Sequence, residues 1–140
     1  MSDSNLAIEI SFDDSVEVSE VVNLYAAHGW SSAEKPDELV AALRNSHSMV
    51  TARVQGKLVG IANAISDGHL VVYYPHLLVH PDSQGQGIGR QIMAAMQDRY
   101  GTFHQQMLTA DVDSVGFYAT IGFERAGKTV PMWIYSGDDH

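Results

Sequence analysis

No cysteine occurs among the 140 residues of this chain, which removes disulfides, thiolate metal sites and any covalent cysteine nucleophile. Basic residues are scarce as well: eight Lys and Arg stand against seventeen Asp and Glu, a net charge of −9. Phosphate-backbone binding is dominated by basic side chains, so this balance argues against nucleic acid as a partner. It mildly favours a cationic small molecule, although an acidic surface also serves plain solubility. No apolar run approaches the roughly 18 residues needed to span a bilayer. The start, Met1 to Asn5, lacks the basic patch and apolar stretch of a signal peptide. The expectation is a cytoplasmic chain with no membrane partner. There is no internal repeat, low-complexity segment or linker, and 140 residues suffice for one domain with its own core. Residues 1–140 therefore read as a single domain, with 136–140 as a frayed tail.

What is present alternates between strand and helix patterns. Leu6 to Phe12 has the period of a half-buried strand. Asp13, Asp14 and Ser15 offer helix caps before Val18, Val21, Val22 and Tyr25, an amphipathic helix that Gly29 ends. A second helix starts at Pro36, with Asp37 and Glu38 in its first turn. His47 to Val54 and Lys57 to Ile65 read as a hairpin around Gln55-Gly56. After the turn Ser66-Asp67-Gly68, His69 to His80 reads as one long apolar strand. A helix with the apolar stripe Ile88, Ile92, Ala95 and Met96 follows a glycine loop. Thr102 to Ala110 returns as a strand, Asp113 caps a short helix ending at Gly122, and Phe123 onward gives two short strands, the last Met132 to Tyr135. The order βααβββαβαββ predicts a mixed α+β fold, with at least one parallel strand pair and helices on the faces of the sheet.

The most informative segment is Gln84 to Gly89. Glycines at 85, 87 and 89 let the backbone turn tightly and approach a ligand without Cβ atoms in the way. Loop amides and the unpaired N–H groups at the start of the next helix make an anion site suited to a pyrophosphate. A P-loop would need Gly-Lys-Ser/Thr at its end, which Gly89-Arg90 does not supply. A dinucleotide fingerprint would need Gly-x-Gly-x-x-Gly in an early βαβ unit, whereas this run is Gly-x-Gly-x-Gly, late in the chain. A glycine-rich strand-to-helix turn without a ligand is the remaining alternative.

Leu77 to Arg90, read LLVHPDSQGQGIGR, resembles the signature of the GNAT superfamily of acyl-CoA-dependent N-acetyltransferases, with Gln84, Gly87 and Gly89 filling its Gln/Arg-x-x-Gly-x-Gly/Ala core. Phe117 to Phe123, read FYATIGF, is similar to that family's second landmark. The order of elements agrees from Leu6 to Tyr135. The resemblance implies a single α+β domain whose mixed, mostly antiparallel sheet splays between its fourth and fifth strands to form a cofactor cleft. It implies acetyl-CoA as cosubstrate and no metal. Cofactor contacts are expected from Leu78, Val79, Gln84, Gly85, Gln86, Gly87, Ile88, Gly89 and Arg90. An N–H near Val79 would stand beside the thioester carbonyl. Asp111 occupies a cofactor-contacting position where many relatives have Asn, and Asp accepts but cannot donate.

The resemblance also makes Tyr118 the acid that protonates the departing thiolate; a core aromatic is the alternative. The base is open. Some polyamine-acetylating relatives carry a carboxylate where Pro75 stands, and proline cannot take a proton. His76 ionises in the right range, but strand parity puts it on the face opposite Tyr73, Pro75, Leu77 and Val79 unless Pro75 marks a bulge. A structural histidine and Tyr73 acting through a water are the other readings. His28, Trp30 and Trp133 are expected on the acceptor side, where aromatic rings suit an apolar or cationic amine, although both tryptophans also suit a core. The expected activity is direct transfer of acetyl to a small-molecule amine in a ternary complex, with a homodimer as a possible assembly. The alternatives are a protein or peptide acceptor, and an acyl-CoA-binding or sensing module without turnover.

Overall fold

The structure is a computed structural model that describes residues 7–12 and 15–138. Helix α1 (Val18–Ala27) turns Val21, Leu24 and Tyr25 inward. Its start is held by the Glu17 N–H, which donates to the Glu20 carboxylate at 2.9 Å. The expected cap residues Asp13 and Asp14 lie outside the described residues. Gly29, at φ +70°, ends the helix as the sequence predicts, because a left-handed residue closes a helix C-terminus and glycine adopts it without strain. A 3-10 turn at Ser31–Glu34 leads into α2 (Pro36–Arg44), which begins at Pro36 with Asp37 and Glu38 in its first turn.

Strand β1 (Glu9–Phe12) pairs antiparallel with β2 (Ser48–Val54), and β2 with β3 (Lys57–Ser66). Beyond β3 the sheet divides. One end of β3 pairs with β4 (Val71–Tyr73), which continues in parallel to β6 (Gln105–Met107). The other end pairs with β5 (Leu77–Val79), which among the described residues has no strand on its far side. Helix α3 (Ile88–Arg99) covers one face through Ile88, Ile92, Met93 and Met96, all within 1% of full burial. Helices α1 and α2 cover the other, where Leu24, Tyr25, Leu43 and Ile61 are at most 2% exposed. Each such aliphatic side chain contributes roughly 1.5–3 kcal/mol of burial free energy, so the sheet is clamped from both sides. Helix α4 (Val115–Thr120) completes the elements.

The expected long strand His69 to His80 is in fact two strands, and the break positions the site. Ile65 faces Tyr73 and Ser66 faces Val72, but Ala62 faces Leu77 and Ile61 faces Leu78. Three steps along β3 therefore oppose four along the other strand, the count of a one-residue bulge centred on Tyr74-Pro75-His76. Facing reverses accordingly. Before the bulge Val72 and Tyr74 point to the α3 side; after it Leu77 and Val79 do, and Leu78 joins the α1/α2 side.

Three further expectations are corrected. Strand β6 is shorter than Thr102 to Ala110. Its backbone ladder stops at Met107 because β5 has diverged, and the last bond across is Tyr74 N–H to Met107 O at 2.9 Å. The two strands expected after Phe123 do not form among the described residues. The backbone there closes on itself, with Phe123 N–H bonded to Tyr118 O, Gly127 N–H to Arg125 O and Thr129 N–H to Ala126 O, and Pro131 has no N–H to give a ladder. Asp113 does not cap α4 either; Ser114 stands at that position.

Candidate active site

The divergence of β5 from β6 leaves a bare strand edge. In an antiparallel ladder alternate residues direct their N–H and C=O to the same neighbour. His80 N–H donates to Val59 O and His76 O accepts from Asn63 N–H, so 76, 78 and 80 face β3, and the polar groups of Leu77 and Val79 face the opening. Leu78, expected to touch cofactor, turns its main chain to β3 and its side chain into the core, where it is 1% exposed. Leu77 takes its place on the edge.

Below this edge the glycine loop enters α3. Gly85 and Gly87 are left-handed, at φ +81° and +78°, and a Cβ built on either would meet nothing within 4 Å. The surface in front of the loop is thus open to a ligand, and Gly87 is the residue before the first turn of α3. Gly89 differs, since its Cβ would come within 3.5 Å of the Phe117 ring. Arg90 reaches across to α4, donating to Thr120 Oγ1 at 2.9 Å. Edge, loop and α4 line one cavity of ≈ 1700 Å³, to which Gln84, Gly85, Gly87, Ile88, Gly89 and Arg90 all contribute and Gln86 does not.

The chemistry-bearing residues converge on the same cavity: Tyr118, Asp111, Tyr73, His76, His28, Trp30 and Trp133 all line it. Burial raises the Tyr118 phenol above its ordinary pKa, and the Asp111 charge raises it further. The phenol is therefore fully protonated at neutral pH. His76 owes its place to the bulge. Its N–H donates to Asn63 Oδ1 at 3.2 Å, its carbonyl accepts from Asn63 N–H, and Asn63 Nδ2 is anchored on Ser46 Oγ at 3.0 Å. The imidazole Nδ1 lies 2.8 Å from Tyr25 Oη. Burial lowers the imidazole pKa to about 4 and raises that of Tyr25, so both are neutral near pH 7. Tyr25 makes no other side-chain hydrogen bond among the described residues; when its hydroxyl donates to Nδ1, the ring hydrogen sits on Nε2.

Trp30 joins this corner edge-on to His76 and Tyr25, at 5.2 and 5.8 Å between ring centroids. His28, the residue closing α1, places Nε2 2.7 Å from Val79 O. Trp133 is 65% exposed and stacks on Tyr135 at 4.3 Å, so it is not a core residue. Tyr25 and Asn63 were not singled out in the sequence. Tyr25 is indistinguishable there from the rest of its helix stripe. Asn63 had a readable signal, a lone amide inside the apolar run of Leu58 to Ile65, and such a buried amide must find partners.

Residues 16–132 match the family described as the acetyltransferase (GNAT) domain. The chain belongs to the GNAT acetyltransferase family. This GNAT chain is 33% identical over 124 residues to "uncharacterized N-acetyltransferase ycf52" of Gracilaria tenuistipitata var. liui, across 83% of its own length and 66% of that protein's, about two thirds. It is 33% identical over 95 residues to "N-alpha-acetyltransferase RimI" of Mycobacterium tuberculosis, covering 64% of this chain and 60% of that one. Among solved structures it is similar to the GNAT family protein SP0256 of Streptococcus pneumoniae TIGR4, with TM-score 0.81 and 29% identity over 94% of this chain and 100% of that one. Members of the family use acetyl-CoA. The GNAT chain's own geometry fits such a molecule: a strand edge turns the backbone of Leu77 and Val79 toward an amide-bearing arm, with the Val79 carbonyl held by His28 and Gln84, and at its foot a glycine loop opens a helix N-terminus toward a pyrophosphate. Among the described residues no helix is long and apolar enough to cross a membrane, and no group of three His, Asp or Glu could hold a metal ion.

Proposed function

We propose that this GNAT chain transfers the acetyl group of acetyl-CoA to an amine of a small molecule, by direct attack while both are bound. The observation that carries the reading is continuity: loop residues 84, 85 and 87–90, the edge of β5, Tyr118 and the aromatic corner of His76 and Trp30 line one cavity. Its volume, ≈ 1700 Å³, exceeds the roughly 300–1,000 Å³ of an ordinary small-ligand pocket, as a long cosubstrate plus an acceptor requires. Acetyl-CoA supplies the activated thioester. The amides of 85–89 hold its pyrophosphate, and the Leu77 and Val79 edge holds its arm. A β5 N–H donates to the carbonyl oxygen as charge gathers there. Tyr118 gives its proton to the departing sulfur.

His76 positions the acceptor rather than deprotonating it. An imidazole with a pKa of about 4 is a poor match for an alkylammonium group, because transfer works best when donor and acceptor strengths are close, and Nδ1 is taken by Tyr25. The proton leaves by water on the Tyr73 side, where that side chain is 40% exposed. A peptide amine is the second reading, and the name of the mycobacterial relative favours it.

The test is a panel of polyamines, amino acids, aminoglycosides and short peptides, scored by CoA thiol release and by mass of the acetylated product. The expected result is amine-dependent release that matches product one to one. Tyr118→Phe is expected to lower kcat roughly ten- to thousand-fold, the range of general acids, while leaving acetyl-CoA affinity nearly unchanged. Tight acetyl-CoA binding with no product from any amine would instead indicate a sensing module, and a peptide as best acceptor would move the reading to polypeptide amines.

A further inference from the structure

Val79 lines the cavity on the β5 edge, yet its carbonyl oxygen is fully engaged. It accepts from His28 Nε2 at 2.7 Å and from Gln84 Nε2 at 3.1 Å. A carbonyl can only accept, so His28 holds its ring hydrogen on Nε2. A carbonyl oxygen has two lone pairs, and both are occupied. The two donors differ in origin. Gln84 lies five residues along the same chain and ties the loop to the strand from below. His28 comes from the end of α1, 51 residues away, and its ring lines the cavity in front of the edge along which an amide-bearing arm must lie. On its other side His28 faces Trp30, 6.1 Å between ring centroids, and Trp30 in turn faces His76.

We propose that His28 is a displaceable occupant of the arm's binding track. In the free protein it fills the Val79 carbonyl; when acetyl-CoA binds, an amide N–H of the arm takes that lone pair and the imidazole moves off toward Trp30 and the acceptor corner. His28 thereby couples the two halves of the cavity. The corner takes its final shape only with the cosubstrate in place. The inference rests on the acetyl-CoA reading above, and it adds a residue with a defined state before and after binding.

The experiment compares two probes on the intact chain by calorimetry. Acetyl-CoA spans loop and edge, whereas adenosine 3′,5′-bisphosphate offers only the nucleotide end and never reaches Val79. Breaking the His28 hydrogen bond opposes binding, and one such bond has a net worth corresponding to about two- to tenfold in affinity. His28→Ala is expected to bind acetyl-CoA tighter by that factor and the bisphosphate unchanged. His28→Gln, which keeps a side-chain N–H donor, is expected to return toward wild type. In the wild-type protein, the imidazole nitrogen signals of His28 should shift on adding acetyl-CoA and stay in place with the bisphosphate; this readout does not depend on any variant folding. Acetyl-CoA affinity that is unchanged or weaker in His28→Ala, or a His28 signal indifferent to acetyl-CoA, overturns the proposal while leaving the cosubstrate reading intact. Failure of the wild-type protein to bind acetyl-CoA would overturn both.

Discussion

The His76 imidazole is neutral because burial outweighs its attraction for a proton, and its pKa falls from 6.5 to about 4. The unfolded chain therefore binds a proton in this interval that the folded chain does not, and stability must rise with pH from about 4 to 6.5 and be flat for this group above that. The depression is worth roughly 3 kcal/mol at 1.36 kcal/mol per pH unit. Urea unfolding followed from pH 4 to pH 7 is expected to show that rise, and His76→Gln, which has no proton to exchange, should be less pH-dependent by about that amount. Equal slopes in the two proteins would mean that His76 ionises as freely when folded as when unfolded. Tyr118 departs in the opposite sense, since burial and the Asp111 carboxylate both disfavour the phenolate. The Asp111 carboxylate acts in the same direction as burial, which is the larger cause.

Among the elements, the contact of β3 with α3 sets where the loop sits. Gly60 lies beneath the start of α3, and a Cβ there would meet Ile92 Cδ1 at 2.9 Å, Ile88 Cγ2 at 3.2 Å and the Leu78 carbonyl at 3.2 Å. The Leu78 backbone on β5 cannot give way, so the new Cβ presses on Ile88 and Ile92 instead, and Gly60→Ala pushes the first turn of α3 away from the sheet. The expected cost is about 1–3 kcal/mol of stability, the usual toll of overpacking, together with weaker acetyl-CoA binding, because the helix N-terminus moves with Ile88. Thermal unfolding and affinity that both match wild type would refute this close approach. The helix stripes, the hairpin and the glycine loop were legible in the sequence because each is a local pattern. The bulge was only half legible. Pro75 marked the place, but the direction in which His76 points depends on how Ile65 and Ala62 pair across the sheet, a non-local quantity. Asn63 secures the bulge from β3, and no spacing rule links residue 63 to residue 76. The end of the chain misled for a related reason. Met132 to Tyr135 has strand-like composition, but a strand also needs a neighbour with free backbone groups, and β6 ends at Met107.

Across the whole molecule, charge and backbone play opposing parts. A chain of net charge −9 with eight Lys and Arg repels a polyanionic cosubstrate at long range and attracts cationic amines. Arg90, the basic side chain nearest the loop in sequence, is hydrogen-bonded to Thr120. In the proposed reading a pyrophosphate is held chiefly by peptide N–H groups and the N-terminus of α3, which depend on the left-handed glycines, with Arg90 lining the same cavity. Gly87→Val tests this directly. A β-branched residue is strained at φ +78° and places its methyl groups in the open space before the loop, while nothing within 4 Å of that Cβ is disturbed in the fold. The measurement is calorimetric titration of acetyl-CoA into the wild-type and Gly87→Val proteins, each shown folded by circular dichroism. One-to-one binding by the wild type and its loss in the variant is the predicted result; equal affinity in a folded Gly87→Val protein would contradict the placement of acetyl-CoA in this cleft.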